Sequence, residues 1–157
     1  MLDLGTAKGR YLRRLRAMGV TVHMTGQDVH PSFFPFMPKG VAKGVGTVLR
    51  SGWPDASFDV VTLCEVLEHC IDLPAAIREL SRILAVGGKL IIIDKNIERL
   101  AYWPGGIPPW EQWFDRDALA SLLRENGFVV ERIASDLSYE NRRDGLFFGL
   151  SAVRNNT

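Results

Sequence analysis

Histidine and cysteine are scarce in this chain, three of the first and two of the second among 157 residues. Cys64 and Cys70 lack the paired spacing of a zinc site and are too few for a disulfide scaffold, which points to a reducing compartment. Neither sign of charge prevails: 19 lysines and arginines meet 18 aspartates and glutamates, a net charge of +1. That balance gives no global pull toward nucleic acid or an anionic bilayer, so a charged partner has to be read by a local patch. Long apolar runs are missing as well. The longest, Leu90 to Ile93, falls far short of a membrane span, and no basic-then-apolar segment opens the chain. Repeats and low-complexity tracts are absent. With 46% hydrophobic residues the chain is long enough for one good core and too short for two ordinary domains, so residues 1–157 are read as one cytoplasmic domain.

What is present is an alternation of strand and helix patterns. Leu2 to Leu4 reads as the end of a strand, followed by a glycine turn and a helix with Leu12, Leu15 and Met18 on one face and Gly19 as its stop. Val20 to Thr25 has strand character and ends in Gly26-Gln27-Asp28. A proline-interrupted aromatic segment, Phe33 to Phe36, comes next, then a weaker strand within Val41 to Leu49 and turn chemistry at Pro54 to Ser57. Phe58 to Cys64 is a strand. Asp72 caps a helix with Leu73, Ile77, Leu80 and Leu84 inward, Pro74 in its first turn and Gly87-Gly88 at its end. Lys89 to Asp94 reads as a buried strand. A long connection from Lys95 to Phe114 carries Tyr102, Trp103, Trp110 and Trp113, and loops of such length are often functional. Asp115 caps the last helix, with Leu119, Leu122 and Leu123 inward, and strands follow at Phe128 to Ala134 and Leu146 to Val153. The pattern is α/β: a mostly parallel sheet, helices on both faces and an antiparallel C-terminal hairpin.

A glycine turn between first strand and first helix lets backbone approach a ligand. Counted from Gly5, Ala7 is third and Arg10 sixth, so the dinucleotide fingerprint is absent and nicotinamide binding is disfavoured. Asp28 ends the second strand, where a carboxylate can accept hydrogen bonds from both hydroxyls of a ribose. Its competing reading is a loop aspartate that caps the next helix.

The turn Asp3-Leu4-Gly5-Thr6-Ala7-Lys8-Gly9 resembles the cofactor turn of the class I S-adenosylmethionine-dependent methyltransferases. Ser57-Phe58-Asp59-Val60-Val61 and Val66-Leu67-Glu68-His69 resemble one branch of that family. The likeness continues through Ala75 to Leu80, Leu84 to Leu90, Phe114-Asp115 and Gly127-Phe128. It implies a Rossmann-like doubly wound fold with S-adenosylmethionine bordered by Asp3, Gly5, Thr6, Ala7, Gly9, Asp28, Val29, Thr47, Val48, Cys64 and Glu65. Ala7 stands where the family usually has glycine. Thr47 or Val48 stands where the branch has an aspartate for the adenine amino group, and Val29 and His30 would flank the ring.

The implied reaction is methyl transfer to a small-molecule acceptor, with an oxygen nucleophile favoured over nitrogen or carbon and a saccharide or other polar metabolite as the preferred class. A hydroxyl acceptor benefits from a base, and His69, Glu65 and Asp94 lie at or after carboxyl ends of strands. The favoured reading of His69 alone is nevertheless a structural histidine. Glu65, Glu68 and His69 also resemble a family metal set, a minor alternative to a metal-free site. Tyr102, Trp103, Trp110 and Trp113 are the substrate-side candidates, against a small satellite core. Arg10, Arg13, Arg14 and Arg16, with Arg142 and Arg143, form basic clusters read as solvated surface rather than a nucleic-acid face. The chain opens at Met1, inside what the resemblance makes the central strand, so the fold reads as truncated at its N-terminus. An apolar sheet face is then expected to lie open or under a partner. The rival function is a non-catalytic scaffold of the same fold.

Overall fold

A computed structural model describes residues 1–102, 104–137 and 145–155. Its strands are β1 Leu2–Leu4, β2 Thr25–Asp28, β3 Ala42–Val45, β4 Phe58–Cys64, β5 Leu84–Lys95, β6 Phe128–Leu137 and β7 Phe147–Arg154. They form one seven-stranded sheet in the order β3-β2-β1-β4-β5-β7-β6. β1 to β5 run parallel to their neighbours, and β7 enters antiparallel between β5 and β6. The chain winds outward from β1 to β3 and then returns to β4 on the other side of β1. Strand order thus reverses between β1 and β4, which opens a crevice at their carboxyl ends.

Helices α1 Arg10–Ala17, α2 Leu73–Ile83 and α3 Arg116–Glu125 cover the two faces. α2 and α3 bring Ile77, Leu80, Leu119 and Leu123 against Leu2, Leu4, Val61, Leu63, Leu90, Ile92 and Phe148, all 2% exposed or less. Each such side chain contributes roughly 1.5–3 kcal/mol by leaving water, which makes this layer the main source of stability. The Asp72 carboxylate accepts the Ala75 N–H at 2.9 Å, and Asp115 accepts from Asp117 and Ala118, so both helix starts are capped. On the other face α1 packs Leu12 into a smaller cluster with Met24, Met37 and Val41.

Several local expectations shift. β2 begins only at Thr25, because Leu2 pairs with Thr25 and the residues before it have no strand in register. α1 ends at Ala17, so Met18 lies past the last turn and is exposed, while Gly19 takes the left-handed conformation that stops the helix. The third strand shortens to Ala42–Val45. α2 ends at Ile83, and Gly87-Gly88 lies inside β5, in an irregular stretch between the Phe58–Leu84 and Val60–Lys89 pairings. Lys89 to Asp94 is buried on one face only: Leu90, Ile92 and Asp94 are sealed, whereas Ile91 is 36% exposed. Val129, on that same face, is 52% exposed, so the α1 side of β5 and β6 does carry open apolar surface.

A half-buried ion pair sets the loop before β4. Ser51 donates its backbone N–H and hydroxyl to Glu79 Oε1 at 2.8 and 2.6 Å, and Arg82 donates to both Glu79 oxygens at 2.8 Å. The Arg82 guanidinium, against the opposing effect of burial and with help from Ser51, holds the Glu79 carboxyl down at about 2. A depressed carboxyl gives stability that is full above its unfolded value of 4.5 and is lost as pH falls toward 2. Chemical denaturation between those pH values should show wild type losing stability faster than Glu79→Gln, and Glu79→Ala should cost about 2 kcal/mol at neutral pH. Parallel pH profiles for the two proteins would remove Glu79 from this role.

Candidate functional site

The turn after β1 is built from alternating left-handed residues: Gly5 at φ 75, Ala7 at φ 45 and Gly9 at φ 73. Gly5 and Thr6 donate their N–H groups to Gln27 O at 2.8 and 3.0 Å, fastening the turn to β2. A Cβ on Gly5 would strike Val66 Cγ2, so glycine is demanded by packing as well as by backbone angle. Asp3 is buried under this turn and accepts hydroxyls from Thr6 at 2.7 Å and Thr62 at 2.8 Å. Burial raises its carboxyl and the two hydroxyls partly offset this. Asp3 and Thr6 therefore brace the turn from within. Asp28 braces it from the ligand side. Its Oδ2 accepts the Ala7 N–H at 2.8 Å and its Oδ1 the His30 N–H at 2.9 Å.

The crevice holds a cavity of about 620 Å³ that Asp28 and Glu65 line together with Gly5, Val29, Thr47 and Val48. Its walls also include His30, which the sequence placed beside a ring, and Phe33, Leu49, Val66 and Ile71, for which local pattern gave no signal. These reach the cavity because chain-distant loops converge at the strand ends. Thr47 Oγ1 accepts from the Leu49 and Arg50 N–H groups at 3.2 and 3.1 Å, so the hydroxyl stabilises its own turn. Glu65, just past β4, has φ 56, a left-handed angle unusual for a side-chain-bearing residue, and lines the cavity. Burial first, then the Glu68 charge, raises the Glu65 carboxyl above 4.5.

His69 lines the same cavity, with Nε2 3.3 Å from Glu68 Oε1 and Nδ1 3.2 Å from the Trp110 carbonyl oxygen. Asp94 is sealed away from it: fully buried, it accepts the Leu67 and Lys95 N–H groups at 3.1 and 3.0 Å. Burial, then hydrogen bonding and charge from Glu68, push the Asp94 carboxyl well up. Cys64 donates its thiol to Tyr11 OH at 2.8 Å, and burial pushes the thiol up to about 12. Neither Cys64 nor Ala7 nor Gly9 lies on the cavity wall.

The aromatic loop divides. Tyr102 and Trp110 are exposed, whereas Trp113 is buried with Nε1 donating to Glu111 Oε2 at 3.0 Å, and none of the three lines the cavity. Trp103 lies outside the described residues, as do Arg142 and Arg143. In α1, Arg13 donates to Phe36 O at 2.7 Å and Arg16 to Lys39 O, so part of the basic helix ties down the chain after β2. The predicted metal set is also regrouped: Glu68 and His69 converge with Glu111, and Glu65 stays apart.

A family model described as "Methyltransferase domain" matches residues 1–133. The chain belongs to that family. The human mitochondrial ubiquinone biosynthesis O-methyltransferase is 27% identical over 87% of this chain and 43% of its own length. The Rattus norvegicus counterpart is 30% identical over 85% of this chain and 45% of its own. The chain thus spans less than half the length of these relatives. Among solved structures, a chain from the complex between the Haloferax volcanii Trm112 methyltransferase activator and a methyltransferase superposes with TM-score 0.82 at 19% identity, covering 99% of this chain and 82% of its own. An S-adenosylmethionine-dependent methyltransferase from Mesorhizobium loti gives 0.78 at 16% identity, covering 98% and 89%. S-adenosylmethionine is the cofactor of this methyltransferase domain.

The cavity fits that molecule in size and chemistry. Small-molecule sites typically enclose about 300–1,000 Å³. Each Asp28 oxygen accepts one backbone N–H, and a carboxylate oxygen has capacity for a second donor such as a hydroxyl. Val29, Phe33, Val48 and Leu49 offer apolar faces to a flat heterocycle. Asp28→Ala should weaken S-adenosylmethionine binding in calorimetry by about 1.5–3 kcal/mol, the worth of a hydrogen bond to a charged group. Unchanged affinity in a folded variant would take Asp28 out of the site. At Ala7 the left-handed backbone costs a side-chain-bearing residue about 1–2 kcal/mol. Ala7→Gly relieves that strain at an entropic cost of about 0.5–1 kcal/mol. A small rise in melting temperature is expected, and a fall would show that the methyl group packs favourably.

Proposed function

We propose that this methyltransferase domain transfers the methyl group of S-adenosylmethionine to a hydroxyl oxygen of a small, ring-bearing acceptor. The observation that carries the reading is the Glu65 carboxylate: it faces the cavity, makes no described side-chain hydrogen bond, and is held above the usual carboxylate range. A carboxylate so placed is suited to accept a proton from an oxygen nucleophile, because raised basicity brings it closer to the working pH. His69 lines the same cavity with both ring nitrogens against oxygen atoms, which suits it to orient the acceptor side.

The cofactor supplies a methyl group on a cationic sulfur, already activated, so the protein needs no covalent intermediate. Asp28 would hold the ribose, the turn from Gly5 to Gly9 would keep side chains out of the way, and Val29, Phe33, Val48 and Leu49 would exclude water from the heterocycle. The acceptor would enter from the side of His69 and Ile71. An apolar ring suits this side better than the saccharide expected from the tryptophans, since Trp110 and Trp113 lie off the cavity and Ile71 is 94% exposed at its edge. The names of the human and rat relatives, O-methyltransferases of ubiquinone biosynthesis, support an oxygen atom on a ring.

Methyl transfer from labelled cofactor to a catechol, and none to a matched aromatic amine, is the expected outcome; the reverse preference would overturn the oxygen assignment. Glu65→Gln should lower kcat by roughly 10²-fold or more. A raised carboxyl contributes stability that is full below 4.5 and lost as pH rises through its folded value, so the same variant should melt higher than wild type at neutral pH. A Glu65→Gln protein with full turnover would pass the proton-accepting role to His69 or to solvent.

A further inference from the structure

The cluster behind His69 is shaped for a divalent ion and is filled by a lysine. Ligand atoms of Glu68, His69 and Glu111 lie within 4.8 Å of one another, two carboxylates and an imidazole converging from two segments of the chain. Such a set suits ions of the zinc and manganese type. Lys95 Nζ reaches into it, 2.8 Å from Glu68 Oε1 and 2.8 Å from Glu111 Oε2, with its side chain 13% exposed. Burial alone would lower the Lys95 ammonium, but the bonds from Glu111 and Glu68 outweigh it and raise it. Burial likewise works against Glu111, whose bonds from Lys95 and Trp113 still hold it below its ordinary value.

We propose that the Lys95 ammonium is the built-in cation of a metal-shaped site formed by Glu68, His69 and Glu111, so that this chain needs no divalent ion there. The charge argument is direct. Two carboxylates buried to this degree need a cation in contact, since an unpaired buried charge is costly. Lysine at the end of β5 supplies one permanently and links three pieces of the acceptor side: Glu68 before α2, Glu111 in the aromatic loop and, through Glu68, His69. The ammonium engages only Oε1 of Glu68, and the buried Glu68 carboxylate also meets the Asp94 carboxyl, with which it hydrogen-bonds. A divalent ion in the same space could take both oxygens. In turnover, which rests on the methyl transfer proposed above, Lys95 is a positioning residue that keeps His69 and the loop in place.

The test is calorimetric titration of the whole chain with Zn²⁺ and Mn²⁺, without methyl donor or acceptor, so that its outcome is independent of the proposed reaction. Wild type should bind no stoichiometric ion at this cluster, and chelator should leave its melting temperature unchanged. Lys95→Met should bind one ion per chain, and adding His69→Ala should abolish that binding. Mn²⁺ should also restore part of the turnover lost in Lys95→Met, a rescue that a purely structural lysine would not give. Ion binding by wild type that His69→Ala removes would overturn the proposal, as would a folded Lys95→Met protein that binds none. If Lys95→Met folds only with metal present, the proposal is supported. If it folds under no condition, Lys95→Arg, which keeps a cation, should fold without an ion, and stoichiometric ion binding by Lys95→Arg would count against the proposal.

Discussion

The Asp28 carboxylate, reaching from the end of β2 to the Ala7 and His30 N–H groups, is the contact on which the cavity's shape depends. It joins the turn after β1 to the turn after β2. Both oxygens are engaged from the protein side, and the same carboxylate lines the cavity. One acid thus organises the backbone and presents itself to a ligand. The neighbouring Gln27 extends the same constraint, accepting Gly5 and Thr6 through its carbonyl and joining Ser51 and Trp53 through its side chain.

A second constraint runs along the far wall. Lys95, Glu68, Glu111 and Trp113 form a connected set of charge-assisted bonds that draws the aromatic loop onto the end of β5. Backbone bonds from Phe114 to Lys95 and from Gln112 to Glu68, at 3.0 and 2.8 Å, reinforce it. The loop is therefore strapped across the carboxyl ends of the strands. Its tryptophans divide labour accordingly, Trp113 serving the strap and Trp110 lending its carbonyl to His69. Strain collects in the same region. Ala7 and Glu65 both adopt left-handed angles, and Glu65 and Asp94 both carry carboxyls raised by burial. Such local costs are tolerable because the leucine and isoleucine layer under α2 and α3 supplies stability elsewhere.

Sequence pattern alone determined the α/β alternation, the caps at Asp72 and Asp115, the span of β4 and the identity of Asp28 as the acid at a strand end. Those features are local: a capping carboxylate, a 3.6-residue apolar period and an apolar strand bounded by turns are written in neighbouring residues. Motif order carried the family as well, because its pieces follow one another in the chain. What sequence could not supply was decided by tertiary structure. Whether Asp94 faces a ligand or the interior depends on which side of β5 the sheet buries, and that is set by α2 and α3 packing from elsewhere. Phe33, Leu49 and Ile71 meet at one cavity only because the strand order reverses at β1 and β4. Lys95 finds Glu111 16 residues away because the intervening loop turns back on β5. Residue type and short spacing are one-dimensional information, whereas the partner of a buried charge is settled by the sheet and the loops folded across its strand ends.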